Sequence, residues 1–233
     1  YPTFYVLPGK ARDYFYPNTV PLRNGIHDMT ESPSTCWYHD HAMDITGHNA
    51  YMGLQGFYLN FDTLENNLIA NNVLPGGIYD VPIALADKRF NADGTLYYDF
   101  LDHDGELGDI FCVNGKVQPK FTVERRKYRF RILIGSNSRH YRLRLSNGQS
   151  FLQIGNDTWL LPNAIVKNDV LLSPAKRADI VIDFTNAPSE LYLENTLAQS
   201  DGKKPDEGLT ITPIPLMKFI VKPGAVAGNP TVN

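Results

Sequence analysis

Short runs of aromatic and β-branched residues, separated by glycine and proline, dominate the pattern of this chain. Such runs lie at 14–16, 57–59, 97–98 and 219–221, and residues of these types favour strands. The 18 glycines and 16 prolines divide the runs at short intervals, which is typical of a sandwich or a barrel. No long amphipathic helix is predicted, and 63–71 is the best candidate for a short one. The pattern therefore predicts an all-β fold.

Strict alternation of apolar and polar residues indicates which faces of the predicted strands are buried. Residues 141–145 alternate tyrosine and leucine with arginine, and the apolar residues of 180–184 repeat the pattern against Asp183. Successive side chains of a strand point to opposite faces, so each of these strands has one face in the core. By the same reasoning, Arg129 and Arg131 alternate with apolar neighbours and are predicted to lie on the solvent-facing side of a strand.

Charge and hydropathy argue against two classes of partner. The formal net charge is −3 at pH 7, which gives no long-range attraction to nucleic acid. The basic run at 125–131 is explained by the solvent face of a strand. No apolar run approaches the roughly 18 residues that a membrane helix needs. We therefore expect neither a nucleic-acid partner nor a membrane partner.

The pattern predicts two folded regions joined by a linker. Asparagine, glycine and proline mark 63–78 as the linker, and a new strand pattern begins directly after it. Residues 79–222, about 140 residues, are a normal size for a β-sandwich. Residues 223–233 are rich in glycine, proline and small side chains and predict a tail or linker. The chain opens at Tyr1 inside a strand pattern, without an initiator methionine or a secretory signal pattern, which predicts a processed, truncated or proteolysed product.

Two histidines two residues apart carry the clearest chemistry in the sequence. His39 and His41 stand at the end of an aromatic strand. In an extended strand they project from one side, with Asp40 on the other. Two neutral imidazoles on one rigid face can bind copper, zinc or iron. One pair cannot fill a coordination sphere, so on these residues alone a chance pair of surface histidines stays open.

A longer motif surrounds this pair. The run 35–46 leads into an asparagine, a tyrosine and two glycine turns within 49–58. It resembles the second copper-binding motif of the three-domain multicopper oxidases, in the branch of spore-coat laccase, bilirubin oxidase and phenoxazinone synthase. The resemblance covers most of the chain, since it continues through 113–116, 128–133, 136–139 and 173–179. The departures lie just after the histidines, at Gly47, His48, Ala50 and Met52.

The resemblance implies both a fold and a chemistry. The fold would be cupredoxin-like Greek-key β-sandwiches, with 1–62 as the latter part of a first domain and 79–222 as a complete second domain. His39 and His41 would each bind one copper of the type 3 pair in a trinuclear cluster. The enzyme would couple one-electron oxidation of phenols, aromatic amines, pigments or metal ions to the four-electron reduction of O2 to water. The family also implies secretion, to an extracellular location or to a cell or spore surface.

The rest of the copper ligand set is not found in the sequence. There is no His-x-His-Gly upstream of the pair, no His-x-x-His-x-His and no His-Cys-His. Cys36 and Cys112 lie in no type 1 copper motif, since that centre needs a thiolate beside two histidines. We therefore expect this chain to be inactive alone, as a fragment of an oxidase. The other ligands would lie on the missing remainder (the rest of domain 1 and domain 3) or on a companion chain.

Four other histidines are weaker candidates. His48 is predicted to have a solvent or packing role, and His27 and His140 to be surface residues. His103 is predicted to lie in a solvated acidic turn that lacks the spacing of an EF-hand loop. The two cysteines could be free buried thiols or could form one disulfide. Asn156 begins a glycosylation sequon, which matters only in a secreted protein.

Two other functions fit part of the pattern. A cupredoxin-derived structural or binding module without copper would keep the sandwiches and lose the chemistry. A cupin-type mononuclear metalloenzyme also places His-x-His on a strand. It needs a glutamate four or five residues later, however, where this chain has Ile45 and Thr46. The sequence contains neither the His-x-His-x-Asp-His motif of metallo-β-lactamase-type hydrolases nor a catalytic Gly-x-Ser-x-Gly elbow.

Overall fold

The computed structural model of the chain describes residues 6–101, 104–206 and 210–232. It divides into two compact units, Tyr1–Ser32 and Pro33–Asn233. The predicted division into domains was drawn on different grounds, at 62 and 79, and it stays a prediction.

The first unit contains one small hairpin. Its strands, β1 (Leu22–Arg23) and β2 (Ile26–His27), pair antiparallel. Asn24 and Gly25 form the turn, with φ angles of 53° and 79°. An Asn-Gly pair adopts these left-handed values readily, which is why it closes a two-residue hairpin. A 3-10 turn follows at Met29–Glu31.

The second unit begins with a separate two-stranded sheet. Its strands, β3 (Thr35–His39) and β4 (Gln55–Leu59), pair antiparallel, with His39 directly opposite Gln55. A short helix, α1 (Thr46–Tyr51), lies in the connection between the strands. We call residues 35–59 the histidine hairpin. Within the described residues no third strand pairs with either of its strands.

Two larger sheets form a sandwich after the helix α2 (Thr63–Ala70), which confirms the short helix predicted at 63–71. The strands that form these sheets are β5 (Asp80–Lys88), β6 (Ile110–Val113), β7 (Lys116–Val117), β8 (Lys120–Arg125), β9 (Lys127–Ile134), β10 (Tyr141–Leu145), β11 (Phe151–Asn156), β12 (Trp159–Lys167), β13 (Asp169–Leu172), β14 (Arg177–Asp183), β15 (Glu190–Leu197) and β16 (Thr210–Ala225). The seven-stranded sheet has the order β12-β11-β14-β9-β5-β6-β7, and the five-stranded sheet has the order β13-β10-β15-β16-β8. Strands make up 45% of the structure and helices 9%, so the all-β prediction is confirmed.

The core lies between the inner faces of these two sheets. Phe130, Phe184 and Phe219 are fully buried there, and the ring of Phe219 lies 5.4 Å from Phe130 and 5.1 Å from Phe184, between centroids. Tilted aromatic pairs at this separation are favourable beyond the area that they bury. The alternation predicted at 141–145 is confirmed, because Tyr141 and its two leucines are buried and Arg144 is exposed.

The prediction for Arg129 and Arg131 was wrong, because both side chains are fully buried. They lie on β9, in the middle of the seven-stranded sheet, on the face away from the apolar core. The start of β3 and the helix α2 cover that face. The arginines are paired there with three buried carboxylates, those of Glu65, Asp80 and Asp179. Alternation shows that a strand has one apolar face and one polar face. The polar face can contact a buried ionic cluster instead of water.

The C-terminal segment that was predicted as a tail or linker packs against the sandwich. Thr231 N–H donates to Asn72 O at 3.1 Å, and Val232 N–H donates to Val73 O at 3.0 Å. Lys127 Nζ donates to Pro230 O at 2.8 Å. The side chain of Val232 is buried in a small apolar cluster with Leu74. In the part of the chain that the structure describes, no helix has the length and apolar character needed to cross a bilayer.

Candidate metal centre

His39 and His41 lie side by side at the open end of the histidine hairpin. Their ring centroids are 5.7 Å apart and the ring planes are inclined by 27°. The ring of Trp37 stacks against His39 on the strand side, with centroids 4.8 Å apart. Both histidines are exposed. The structure therefore brings the two imidazoles to one accessible side, while their role as copper ligands stays a prediction.

A backbone contact fixes the tautomer of His39. Its Nδ1 lies 2.6 Å from the carbonyl oxygen of Asp40. A carbonyl oxygen can only accept a hydrogen bond, so in the neutral imidazole Nδ1 carries the proton and Nε2 keeps its lone pair. An imidazole whose second nitrogen donates to a carbonyl is oriented and made more basic as a metal ligand. The nitrogen that points away from the backbone is thus the one prepared to bind a metal ion.

Asp40 holds the short segment between the two histidines. Its Oδ2 accepts hydrogen bonds from Ala42 N at 3.0 Å and from Asn49 Nδ2 at 3.0 Å. The hydrogen bond from Asn49, followed by that from Ala42, lowers the pKa of the Asp40 carboxyl. Through these two bonds the carboxylate stabilises the turn from which His41 projects.

The histidine hairpin touches the sandwich beside His39. Gln55 Nε2 donates to Ala50 O at 3.1 Å within the hairpin and to Gly135 O at 2.8 Å on the sandwich. Asn137 Nδ2 donates to Gly47 O at 2.8 Å. A pocket of about 230 Å³ opens between these contacts and is lined by Trp37, His39, Gln55, Asn137 and Ala175 among others.

His48 packs against aromatic side chains and does not complete the pair. Its ring centroid lies 5.2 Å from that of Tyr98 and 4.9 Å from that of Phe100. Its Nδ1 faces Asn49 Oδ1 at 3.3 Å. The predicted packing role is confirmed by these contacts. Sequence reasoning gave no role to Tyr98 and Phe100, because they lie about fifty residues from His48 and no local pattern connects them.

The remaining candidates lie apart from the pair. His27 is exposed in the first unit, as predicted, whereas His140 is half-buried and donates from Nδ1 to Ser138 O at 3.2 Å. His103, at the centre of the predicted acidic turn, lies outside the described residues. Asn156 is exposed at the end of β11.

The two cysteines are free in the structure. Cys36 is half-buried on β3, and Cys112 is buried on β6. Burial raises the pKa of the Cys112 thiol, which disfavours the thiolate that a copper ligand requires. Within the described ranges no group of three or more His, Cys, Asp or Glu side chains is arranged to hold a metal ion.

Comparison with known proteins finds relatives along most of the chain. Over 243 residues the chain is 36% identical to a laccase of Bacillus subtilis strain 168, an alignment that covers 96% of the chain and 44% of the relative. It is 40% identical over 192 residues to a laccase of Bacillus stratosphericus, covering 76% of the chain and 37% of the relative. The chain therefore spans less than half the length of these curated relatives. No protein-family model matches it.

Solved structures agree with the sequence relatives. The McoA multicopper oxidase of Aquifex aeolicus superposes with a TM-score of 0.76 at 33% identity, over 86% of this chain and 44% of that one. A multicopper oxidase of Pediococcus acidilactici superposes with a TM-score of 0.67 at 28% identity, over 93% of this chain and 46% of that one. The cupredoxin-like character of the fold is thereby confirmed.

Proposed function

Because the chain belongs to the multicopper oxidase family, we propose that His39 and His41 are the two type 3 copper ligands of a laccase-like oxidase. The stacked, accessible pair of imidazoles carries this proposal. Its second support is the tautomer of His39, which leaves Nε2 free to bind. The donor set fits copper, for which imidazole nitrogen is a common ligand.

The residues of this chain supply the ligands and their orientation. His39 and His41 present their rings on one side, and Asp40 with Asn49 holds the backbone between them. When copper is bound, the cluster supplies the redox chemistry that couples one-electron oxidation of phenols, aromatic amines, pigments or metal ions to reduction of O2 to water. The exposure of both rings leaves space for ligands from elsewhere.

The other copper ligands come from outside this chain. The remainder of the oxidase or a companion chain would carry them, and we propose that the 233 residues alone are inactive. O2 and a small aromatic reductant would be the reactants. We also propose a secreted protein, located outside the cell or at a cell or spore surface.

Two measurements test the ligand pair. In the isolated chain, Cu(II)–iminodiacetate serves as the probe, because this complex leaves two coordination positions that a pair of imidazoles can fill. We expect EPR to report two imidazole nitrogens on one copper, and we expect His39→Ala and His41→Ala each to abolish that signature. His27→Ala, an exposed histidine of the other unit, is the matched control. Binding that survives both substitutions would contradict the proposal.

The second measurement concerns activity. The chain is co-expressed with a companion chain that carries the three missing histidine motifs, and copper content and O2 uptake are measured. We expect both to appear with the unaltered chain and to be lost with His39→Ala. O2 uptake that persists in a chain carrying both His39→Ala and His41→Ala would refute the assignment.

A further inference from the structure

The histidine hairpin has no sheet that holds it in place. Within the described residues β3 pairs only with β4, and neither strand joins a sheet of the sandwich. A two-stranded hairpin by itself is marginally stable in water. The placement of His39 and His41 therefore depends on side-chain contacts between the hairpin and the sandwich.

Gln55 makes such a contact at the level of the ligands. It lies directly opposite His39 across the two strands, and opposite residues of an antiparallel pair project to the same face. Its amide nitrogen donates to Ala50 O, in the helix α1 of the hairpin, and to Gly135 O on the sandwich. One side chain thus connects the strand pair, α1 and the sandwich.

The acceptor of this hydrogen bond, Gly135 O, lies beside the central strands of the sandwich. Gly135 follows β9 directly, and its N–H donates to Leu85 O on the neighbouring β5 at 2.7 Å. β5 and β9 are central strands of the seven-stranded sheet. Gln55 is therefore bonded to the central strands of the seven-stranded sheet through Gly135.

The surroundings of Gln55 accept its amide group in one orientation. A Cβ added at Gly135 would lie 2.5 Å from Gln55 Oε1, so only glycine admits the side chain in this position. Reversing the amide would direct its oxygen at two carbonyl oxygens, which are both acceptors. The orientation of Gln55 is thus fixed by its surroundings. Its Oε1 is buried and has no hydrogen-bond partner among the described residues.

We propose that Gln55 is a positioning residue for the His39–His41 pair. Its amide fixes the histidine hairpin against the sandwich, so that the two imidazoles are presented together to copper. This inference rests on the function proposed above. It adds a residue that touches neither the metal nor the reactants and that acts through the strand opposite His39.

The direct test is Gln55→Met, which keeps the length and the packing of the side chain and removes both donated hydrogen bonds. Cu(II)–iminodiacetate is titrated into the full chain, and EPR counts the bound imidazoles. We expect about tenfold weaker binding and a shift from two imidazole nitrogens toward one. Gln153→Met is the matched control, because Gln153 is a half-buried glutamine on β11 whose Nε2 donates to Gly155 O at 3.3 Å within the same strand. The control should bind like the unaltered chain.

A second variant keeps the test decisive if Gln55→Met fails to fold. Gly135→Ala leaves Gln55 in the sequence but places a methyl group against its Oε1. We expect the same loss of affinity and the same spectral shift. In a Gln55→Ala background, where the methyl group meets no amide, Gly135→Ala should have no further effect, because the two positions act through one contact.

The possible failures are distinguishable. If the unaltered chain shows no two-imidazole copper signal, the ligand assignment under the proposed function is wrong. If the unaltered chain shows that signal and the folded Gln55→Met and Gly135→Ala variants match it in affinity and spectrum, the positioning role is overturned and the ligand assignment stands.

Discussion

The histidine hairpin and the sandwich divide two tasks between them. The hairpin carries both candidate ligands, His39 at the end of β3 and His41 just after it, and its strands have no partner beyond each other in the described chain. The sandwich holds the large apolar core, where phenylalanines from facing sheets pack together. A site that needs open coordination positions must be exposed, and an exposed two-stranded element has little core of its own. The precision of the site therefore has to be supplied by the more stable region.

Two sets of polar contacts connect the regions, one at each end of the hairpin. At the base, Thr35 Oγ1 donates to Asp179 Oδ1 at 2.9 Å, and Arg131 donates to Ser34 Oγ at 2.9 Å. Toward the open end Gln55 donates to Gly135 O and Asn137 donates to Gly47 O. Tyr51 of α1 also bonds with Lys88 and Arg89. The base involves a buried ionic cluster, whereas the contact directly opposite His39 is the neutral amide of Gln55. We therefore expect the base to govern stability and the amide to govern placement.

The strongest way to break this comparison is to remove the centre of the ionic cluster. Arg131→Met leaves Glu65 and Asp80 buried with one cation fewer. An uncompensated buried charge typically lowers the free energy of unfolding by about 3–5 kcal/mol. Urea unfolding measures this loss. Arg144→Met, which removes an exposed arginine paired with Glu194 at 3.4 Å, should change stability by less than about 1 kcal/mol. Equal losses of unfolding free energy in the two variants would show that the buried cluster contributes no more to stability than an exposed ion pair.

A smaller change separates stability from placement. Thr35→Val keeps the shape of the side chain and removes the hydroxyl shared by Asp179 and Arg131. Leaving those buried partners short of one hydrogen bond should lower the free energy of unfolding by about 1–3 kcal/mol. We expect Cu(II)–iminodiacetate binding by the folded protein to be unchanged, because Gln55 still holds the open end. Thr122→Val, on an exposed strand position, is the control for stability. Loss of copper affinity in Thr35→Val would place the positioning function at the base.

The same two regions show how far the sequence could predict this structure. Alternation predicted the buried face of β10 correctly, because one face meets an apolar core. It also predicted that His39 and His41 share a side, and their rings stack. However, β3 ends at His39, and a turn held by Asp40 carries His41. The first result follows from a strand that meets a uniform apolar environment, and the second depends on a local turn.

The errors arise where a distant segment decides the environment. Arg129 and Arg131 have the pattern of a solvent face, yet α2 and the start of β3 cover them. Gln55 has no local signal at all, because its partner Gly135 is 80 residues away in the chain. A local pattern says that a polar face exists, but it does not say which element packs against it.

A third prediction concerns the stability of the protein at acid pH and the turn that holds Asp157, beside the base of the hairpin. Asp157, in the turn between β11 and β12, is bonded to Lys176 Nζ at 2.9 Å and to Arg177 N at 3.0 Å. Burial raises its pKa, and these bonds outweigh burial, so the pKa of the carboxyl is lowered. A lowered pKa in the folded state means that the stabilisation is complete above the unfolded value, about 3.9. It is then lost as the pH falls through the folded value.

We therefore expect Asp157→Asn to flatten the acid side of the stability profile below about pH 4. At neutral pH the cost should be less than about 1 kcal/mol, because the pair with Lys176 is partly exposed. Urea unfolding across a pH series measures both effects. Asp169→Asn is the control, since it replaces an exposed carboxylate at the start of β13. An unchanged acid slope in Asp157→Asn would contradict the assignment.

The smallest effect on stability is expected at the ligands themselves. His41 is exposed, and the ring of His39 makes one hydrogen bond to the adjacent backbone and one contact with Trp37. Replacing both with alanine should change the free energy of unfolding by no more than about 0.5 kcal/mol, although the two-imidazole copper signal disappears. Thermal unfolding with and without Cu(II)–iminodiacetate makes the contrast clear, because only the unaltered chain should be stabilised by the probe. A large loss of stability in the double variant would mean that the pair belongs to the packing of the hairpin, and the separation between a site that binds and a scaffold that holds it would fail.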